Sequence, residues 1–222
     1  MNDQTSTLDW TDDGVPISLR FDDPYFSFLD GLAETRHVFL AGNDLPLRFR
    51  PGFHVAELGF GTGLNLLTTW MAWRESGVSG PLTFTSFEAF PLSPTQMQGA
   101  LAAFPELAAL TQELLDALTE KGAQTNDLSF TLITGDARAT LPSWQGRADA
   151  WFLDGFSPAK NPELWDPSLM QAVGEHTNTG GSFATYTAAG HVRRALDAAG
   201  FEVERVKGFG HKRHMSIGKL RA

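Results

Sequence analysis

From Phe53 onward the chain alternates short, β-rich apolar runs with amphipathic helical patterns. That order marks a mostly parallel sheet with crossover helices, because a tight turn cannot join two parallel strands. The pattern predicts strands near 53–58, 82–88, 128–134, 148–154, 181–187, 201–207 and 215–220. Ser93-Pro94 and Asn161-Pro162 each read as an N-cap followed by proline at the first helical position. Gly200 reads as the C-cap of a helix over 188–199. Only GFGHKRH separates the last two strands, too little for a crossover, so they are expected to form an antiparallel hairpin at one sheet edge. The fold class expected is therefore α/β, a mostly parallel seven-stranded sheet with a C-terminal antiparallel hairpin. It departs from the dinucleotide-binding fold, whose sixth strand is parallel.

A chain of 222 residues, 42% of them hydrophobic, has room for one full-sized α/β domain. The expected division is a leader over 1–52, with turns around short strands at RFDDPYFS and AGNDLPLRFRPG, packed on a single globular unit over 53–222. No window approaches the ~20 continuous apolar residues of a membrane span, and the opening MNDQTSTLDW lacks the basic-then-apolar plan of an export signal. A soluble, cytoplasmic protein with no membrane partner is expected. Without cysteine there is no disulfide, thiolate nucleophile or Cys-ligated zinc. His211 and His214 bring no third ligand near them, so no metal is expected.

The formal net charge of −9 argues against a polyanionic partner, yet it hides an asymmetry. Eight of the 17 basic residues, Arg193, Arg194, Arg205, Lys207, Lys212, Arg213, Lys219 and Arg221, fall in the last 30 positions. A local basic surface can meet phosphate on an acidic protein, since exposed charges are screened beyond about 8 Å. A solvated last helix and edge strand account for the same charges.

After the first predicted strand stands Glu57-Leu58-Gly59-Phe60-Gly61-Thr62-Gly63-Leu64, the pattern E-x-G-x-G-x-G. Glycines at a strand-to-helix turn let backbone approach a ligand closely. The dinucleotide fingerprint wants Gly or Ala where Leu64 stands, and a carboxylate beside the loop would repel a pyrophosphate. Glu57 suits instead the amino group and sulfonium of S-adenosyl-L-methionine, which carries no phosphate. Glu88 ends the second strand, where an acid can accept both ribose hydroxyls, and Asp136 ends the third, within reach of an adenine amino group. Any one of these acids alone is more simply a surface or capping residue. Together they line the strand ends where open α/β sheets bind ligands, which implies a Rossmann-like class I S-adenosylmethionine-dependent methyltransferase.

Asp154 continues the series after the fourth strand, in Asp154-Gly155-Phe156-Ser157-Pro158. This loop resembles in position and shape the D/N-P-P-aromatic loop of amine-directed methyltransferases. An ammonium has no lone pair with which to attack a methyl group, and an aspartate within about 3 Å could orient the amine and take or relay its proton. Phe156 could stack on a base. Alignment can supply much of the catalysis of a direct displacement at carbon. Trp165, in the same stretch, reads as core.

Several stretches together resemble one family: the methyltransferase half of the bifunctional tRNA 5-methylaminomethyl-2-thiouridine biosynthesis proteins, and their stand-alone relatives. The stretches are DPYFSFLDGLAETRHVFLAGNDLPLRF, ELGFGTGLN, FEAFPLS, AWFLDGFSPAKNPELW, FATYTAAGHVRRAL and GFGHKRHM. The resemblance implies transfer of a methyl from S-adenosyl-L-methionine to the exocyclic amine of 5-aminomethyl-(2-thio)uridine at the anticodon wobble position of tRNA, with no metal and no flavin. It places Asp154 beside the reacting amine, Glu57, Gly59, Gly61 and Gly63 in the cofactor loop, and Glu88 and, less firmly, Asp136 on the cofactor. The bifunctional proteins carry a flavin-dependent half for which these residues leave no room, so either a separate enzyme is expected to supply the aminomethyl-uridine or that nucleoside arrives directly. His214 stands where the family has an acid. The anticodon loop is expected to dock along Arg193, Arg194, Lys207, Lys212 and Arg213, with the wobble base splayed beside Phe156. The leader, with Tyr25, Glu34 and Arg36, is expected either to form a lid over the cofactor or to hold a structural Glu–Arg pair. Two other readings are an aminopropyltransferase of the spermidine synthase type and a non-catalytic scaffold that binds tRNA or protein.

Overall fold

The computed structural model of the chain describes residues 8–222 apart from positions 13 and 28. Three short strands, β1 (Leu8–Trp10), β2 (Pro16–Ser18) and β3 (Asp23–Pro24), pair antiparallel in a small sheet of their own. Helix α1 (Gly31–Thr35) follows, with the Asp30 carboxylate accepting from the Ala33 N–H at its N-terminus, and helical turns continue to Asn43. The leader expected over 1–52 includes positions 1–7, 13 and 28, which lie outside the described residues.

The main sheet then builds outward from its middle. Strand β4 (His54–Leu58) leads through α2 (Leu64–Ser76) to β5 (Leu82–Glu88). Helices α3 (Pro94–Leu101) and α4 (Ala108–Ala117) precede β6 (Gly122–Gln124) and β7 (Leu128–Thr134). After α5 (Ala137–Thr140) the chain crosses back to β8 (Ala148–Leu153), and α6 (Pro167–Glu175) leads to β9 (Thr177–Thr185). Helix α7 (Gly190–Ala198), β10 (Phe201–Lys207) and β11 (His214–Leu220) complete the order. The strands lie β10-β11-β9-β8-β4-β5-β7-β6. Strands β9, β8, β4, β5 and β7 are mutually parallel, while β11 is antiparallel to both β9 and β10.

The hairpin is as expected, but among the described residues the sheet has eight strands where seven were expected. The eighth, β6, is only three residues long, so no apolar alternation announces it. Gly122 admits it at φ +121°, because a Cβ there would stand 2.1 Å from the Phe130 carbonyl oxygen. Strand β9 starts at Thr177, not near 181, through polar residues whose register with β8 shifts between Ala148 and Ala150. Asn161 is a second correction. It makes no side-chain cap, and only a single 3-10 turn, Pro162–Trp165, follows it. The α-helix begins at Pro167 under Asp166, whose carboxylate accepts from the Ser168 N–H at 2.8 Å. Ser93 caps α3 in a full capping box with Gln96, and Gly200 ends α7 at φ +101°.

Period-2 alternation sends neighbouring residues to opposite faces and so builds two cores. Val55, Phe84, Phe130, Ala150 and Phe152 face α2 (Leu66, Leu67, Trp70, Trp73) and the leader's Val38, Phe39, Leu40 and Phe49. Ala56, Leu58, Phe87, Trp151, Leu153 and Phe183 face α6 and α7. Trp70, Trp73 and Trp151 are fully buried, each stabilising by roughly 3 kcal/mol. Glu57 lies on the α2 face of β4 between Ala56 and Leu58, 0% exposed. The chain departs in opposite directions from β4 and β8, which opens a crevice beyond their C-terminal ends.

Candidate active site

That crevice holds a cavity of about 840 Å³, within the size range of nucleotide and cofactor sites. The glycine loop after β4 forms its floor. Gly59 sits at φ +88°, and Gly61 at φ +53° lies under the Tyr25 ring, 3.2 Å from where a Cβ would be. Gly63 is the left-handed residue that starts α2 and packs against Phe60 and Met97 behind the cavity wall.

Three carboxylates gather here under strong desolvation. Glu88, at the end of β5, accepts from the Gly61 N–H at 3.2 Å and the Phe90 N–H at 2.8 Å. Burial pushes its carboxyl up, and backbone N–H groups of the loop pull it partly back. Burial likewise holds Glu57 well above the usual carboxylate range, against hydrogen bonds from Ser86 and Asn65. Asp154 is pushed up to about 7, again chiefly by burial; a hydrogen bond from Asn65 opposes the shift, Glu34 adds to it and Lys212 offsets it. Desolvated carboxylates of this kind suit a cationic guest.

The sequence expectations divide against this geometry. Gly59, Gly61, Glu88, Asp136, Asp154, Phe156 and Lys212 line the cavity. Glu57 and Gly63 stand behind its wall, and Glu57 meets it through Asn65. Asp136 caps α5 and holds Arg138 at 2.6 Å, so its carboxylate already has partners. Arg193, Arg194, Lys207 and Arg213 lie off the cavity. None of the four has an ion pair among the described residues. Lys212 reaches inward from the hairpin turn, with Nζ 2.8 Å from Glu34 Oε1 and 4.2 Å from the centre of the Tyr186 ring. Glu34 therefore pairs with Lys212, not with Arg36.

The leader closes one side of the cavity. Phe156 stacks on Phe21 at 4.8 Å and meets Tyr25 edge-on at 5.1 Å. The Ser157 N–H donates to Asp23 Oδ2 at 2.9 Å, and Lys160 pairs with Asp22 and Asp23. Arg20 lies over Phe90 at 4.1 Å. Tyr186 Oη donates to the Gly155 carbonyl at 2.7 Å, and buried Trp165 donates from Nε1 to the Phe156 carbonyl. These bonds hold the loop after Asp154 from both sides. Sequence reasoning missed Asn65, Phe21 and Tyr186, and for Asn65 a signal existed: a lone amide in the apolar first turn of α2.

A phosphate-free, cationic cofactor fits these residues, with a glycine floor that admits close approach and desolvated acids around it. Fold and crevice define a class, and the comparison agrees: residues 104–221 match the family described as S-adenosyl-L-methionine-dependent methyltransferase, and the chain belongs to it. More particularly, it is 44% identical over 232 residues to the tRNA 5-methylaminomethyl-2-thiouridine biosynthesis bifunctional protein MnmC of Stutzerimonas stutzeri, a match that takes in 99% of this chain and 35% of that protein. The protein of the same name from Ectopseudomonas mendocina is 46% identical over 228 residues, taking in 97% of this chain and 35% of that one. The chain thus spans about a third of the length of these curated relatives. Among solved structures it is similar to MNMC2 from Aquifex aeolicus, at TM-score 0.78 and 26% identity, over 98% of this chain and 71% of that one. Precorrin-6y C5,15-methyltransferase from Geobacter metallireducens shares the fold at TM-score 0.55 and 14% identity, over 95% of each chain.

Proposed function

We propose that the protein methylates the exocyclic amine of 5-aminomethyl-(2-thio)uridine at the wobble position of tRNA, giving 5-methylaminomethyl-(2-thio)uridine. The observation that carries this reading is Asp154, a desolvated carboxyl on the cavity wall beside the glycine loop, in a chain 44% to 46% identical to proteins named for that nucleoside.

When bound, S-adenosyl-L-methionine supplies a methyl carbon made electrophilic by its sulfonium. Gly59, Gly61 and Glu88 would hold it, with Asp136 also on the wall and Glu57 and Gly63 behind it. Asp154 receives the substrate amine, takes or relays one proton from the ammonium, and aims the freed lone pair. With the cofactor bound, the N–C bond would form as the C–S bond breaks, and the second proton would leave the new ammonium for solvent. Phe156 stacks on the splayed base. Lys212 meets the RNA at the cavity mouth, and Arg193, Arg194, Lys207 and Arg213 meet backbone phosphate farther out.

Another reaction supplies the aminomethyl-uridine, and the methylation takes place in the cytoplasm with its tRNA. Among the described residues no helix is long and apolar enough to cross a membrane. Mass analysis of wobble nucleosides, after incubating aminomethyl-uridine tRNA with protein and cofactor, tests the reading. A gain of one methyl on the side-chain amine is expected. Unchanged tRNA, with putrescine converted to spermidine in a parallel incubation with decarboxylated S-adenosylmethionine, would overturn it in favour of the aminopropyltransferase-like reading.

A further inference from the structure

Glu57 lies within β4 and Asp154 follows the adjacent parallel strand β8, and one side chain touches both. The Asn65 Nδ2 group donates to Glu57 Oε1 at 2.9 Å and to Asp154 Oδ2 at 2.7 Å. Its Oδ1 accepts from Thr35 Oγ1 at 2.9 Å. Ser86 Oγ donates to the other Glu57 oxygen at 2.7 Å. The orientation of the amide follows from its partners, because turning it over would aim a carbonyl oxygen at two carboxylates.

The placement is costly unless used. Leu64, Leu66 and Leu67 beside it belong to the apolar core, Asn65 is 6% exposed, and a buried amide without partners is strongly unfavourable. Thr35, buried at 4%, lies at the last residue of α1, so the bond from Thr35 ties the leader helix to the catalytic side of the cavity.

We propose that Asn65 is the positioning residue for Asp154, and that Thr35 on the leader helix fixes Asn65 in turn. The inference rests on the reading of Asp154 as the group that receives the amine. Donation to Oδ2 holds the carboxylate in one orientation and favours its charged form, while a carboxylate keeps enough lone pairs to accept from the substrate as well. The amide also keeps Glu57 and Asp154 apart with a donor between them, so that the buried acid behind the wall does not suppress ionisation of the one in front.

Three variants in the intact chain test this: Asn65→Leu, of similar size but without donors, Thr35→Val, and Asp154→Ala. Each is measured for kcat/KM against pH on aminomethyl-uridine tRNA and for S-adenosyl-L-methionine affinity by calorimetry. For Asn65→Leu, kcat is expected to fall about 10- to 100-fold and the acid limb to move up by about one pH unit, with cofactor Kd within about threefold. Thr35→Val is expected to shift the limb the same way by less. A profile that does not move, or a loss confined to cofactor Kd, overturns the positioning role. Should Asn65→Leu fail to fold, Thr35→Val decides by the same readouts, since it leaves the amide in place. Near-normal turnover in Asp154→Ala would instead sink the reading of Asp154 itself. Loss in Asp154→Ala with unmoved profiles in the other two removes only the positioning role.

Discussion

Gly59 and Asp154 approach so closely that a Cβ on residue 59 would stand 1.8 Å from the Asp154 carbonyl oxygen. The two follow the adjacent strands β4 and β8, and the Asp154 N–H donates to the Leu58 carbonyl at 3.0 Å. The glycine loop and the aspartate loop are therefore one structural unit at the crevice.

Gly59→Ala tests that unit. The substitution meets backbone, not a flexible side chain, and occupies φ +88°. It is expected to destabilise the fold by about 3 kcal/mol or more and to abolish measurable cofactor binding. Thermal melts and calorimetry would check both effects, and a variant with wild-type melting and affinity would disprove the close approach.

The Asp154 carboxyl, at about 7 in the folded protein against 3.8 for an unperturbed aspartate, sets a definite pH dependence. Between those values the folded state binds more protons than the unfolded one, so this group's contribution to stability falls as pH rises from about 4 to about 7 and then stays flat. Glu57 and Glu88 are shifted the same way. Asp154→Asn is expected to raise stability at pH 8 by on the order of 2 kcal/mol and to weaken that slope without removing it. Urea titrations from about pH 5 to 8 give the answer, and a less stable variant at pH 8 would contradict the burial argument. In the wild type, kcat/KM should fall below about pH 7 as Asp154 takes up its proton.

Lys212 differs from the other basic residues of the C-terminal stretch because it alone among Arg193, Arg194, Lys207, Lys212 and Arg213 lines the cavity. Charge reversal at Arg193 and Arg194 is expected to weaken tRNA binding and to flatten its salt dependence by roughly one unit of slope for each phosphate no longer neutralised. Lys212→Ala should in addition move the acid limb of kcat/KM upward, since Lys212 holds the Asp154 carboxyl down. Filter binding across a salt series, paired with pH profiles, separates the two behaviours. An unmoved limb in Lys212→Ala would place this lysine with the outer residues.

Strong periodic patterns were legible in the chain. Strands β5, β7 and β10 stand at the predicted bounds, and Ser93-Pro94 caps α3 as its chemistry requires. Where two local signals competed, the outcome was not legible. Asn161-Pro162 and Asp166-Pro167 both have the form of a helix start, and burial of Trp165 between them leaves the first a single turn and the second the true cap. Strand β6 escaped notice because three residues with a glycine carry no period.

The site shows the same division. Sequence alone determined that acids and glycines stand at successive strand ends, because strand period and turn chemistry are local and those residue types have few other uses there. Only the tertiary structure decided which of them share a cavity. Glu57 went behind the wall since period 2 turns it toward α2, and four of the five basic residues went elsewhere because only the hairpin turn bends Lys212 inward. The bridge from Thr35 through Asn65 to Asp154 joins residues 30 and 89 positions apart. No local pattern encodes such a bridge; it exists because packing α1 on α2, and α2 against the ends of β4 and β8, brings two buried polar groups and the half-buried Asp154 carboxylate to a point where each satisfies the next.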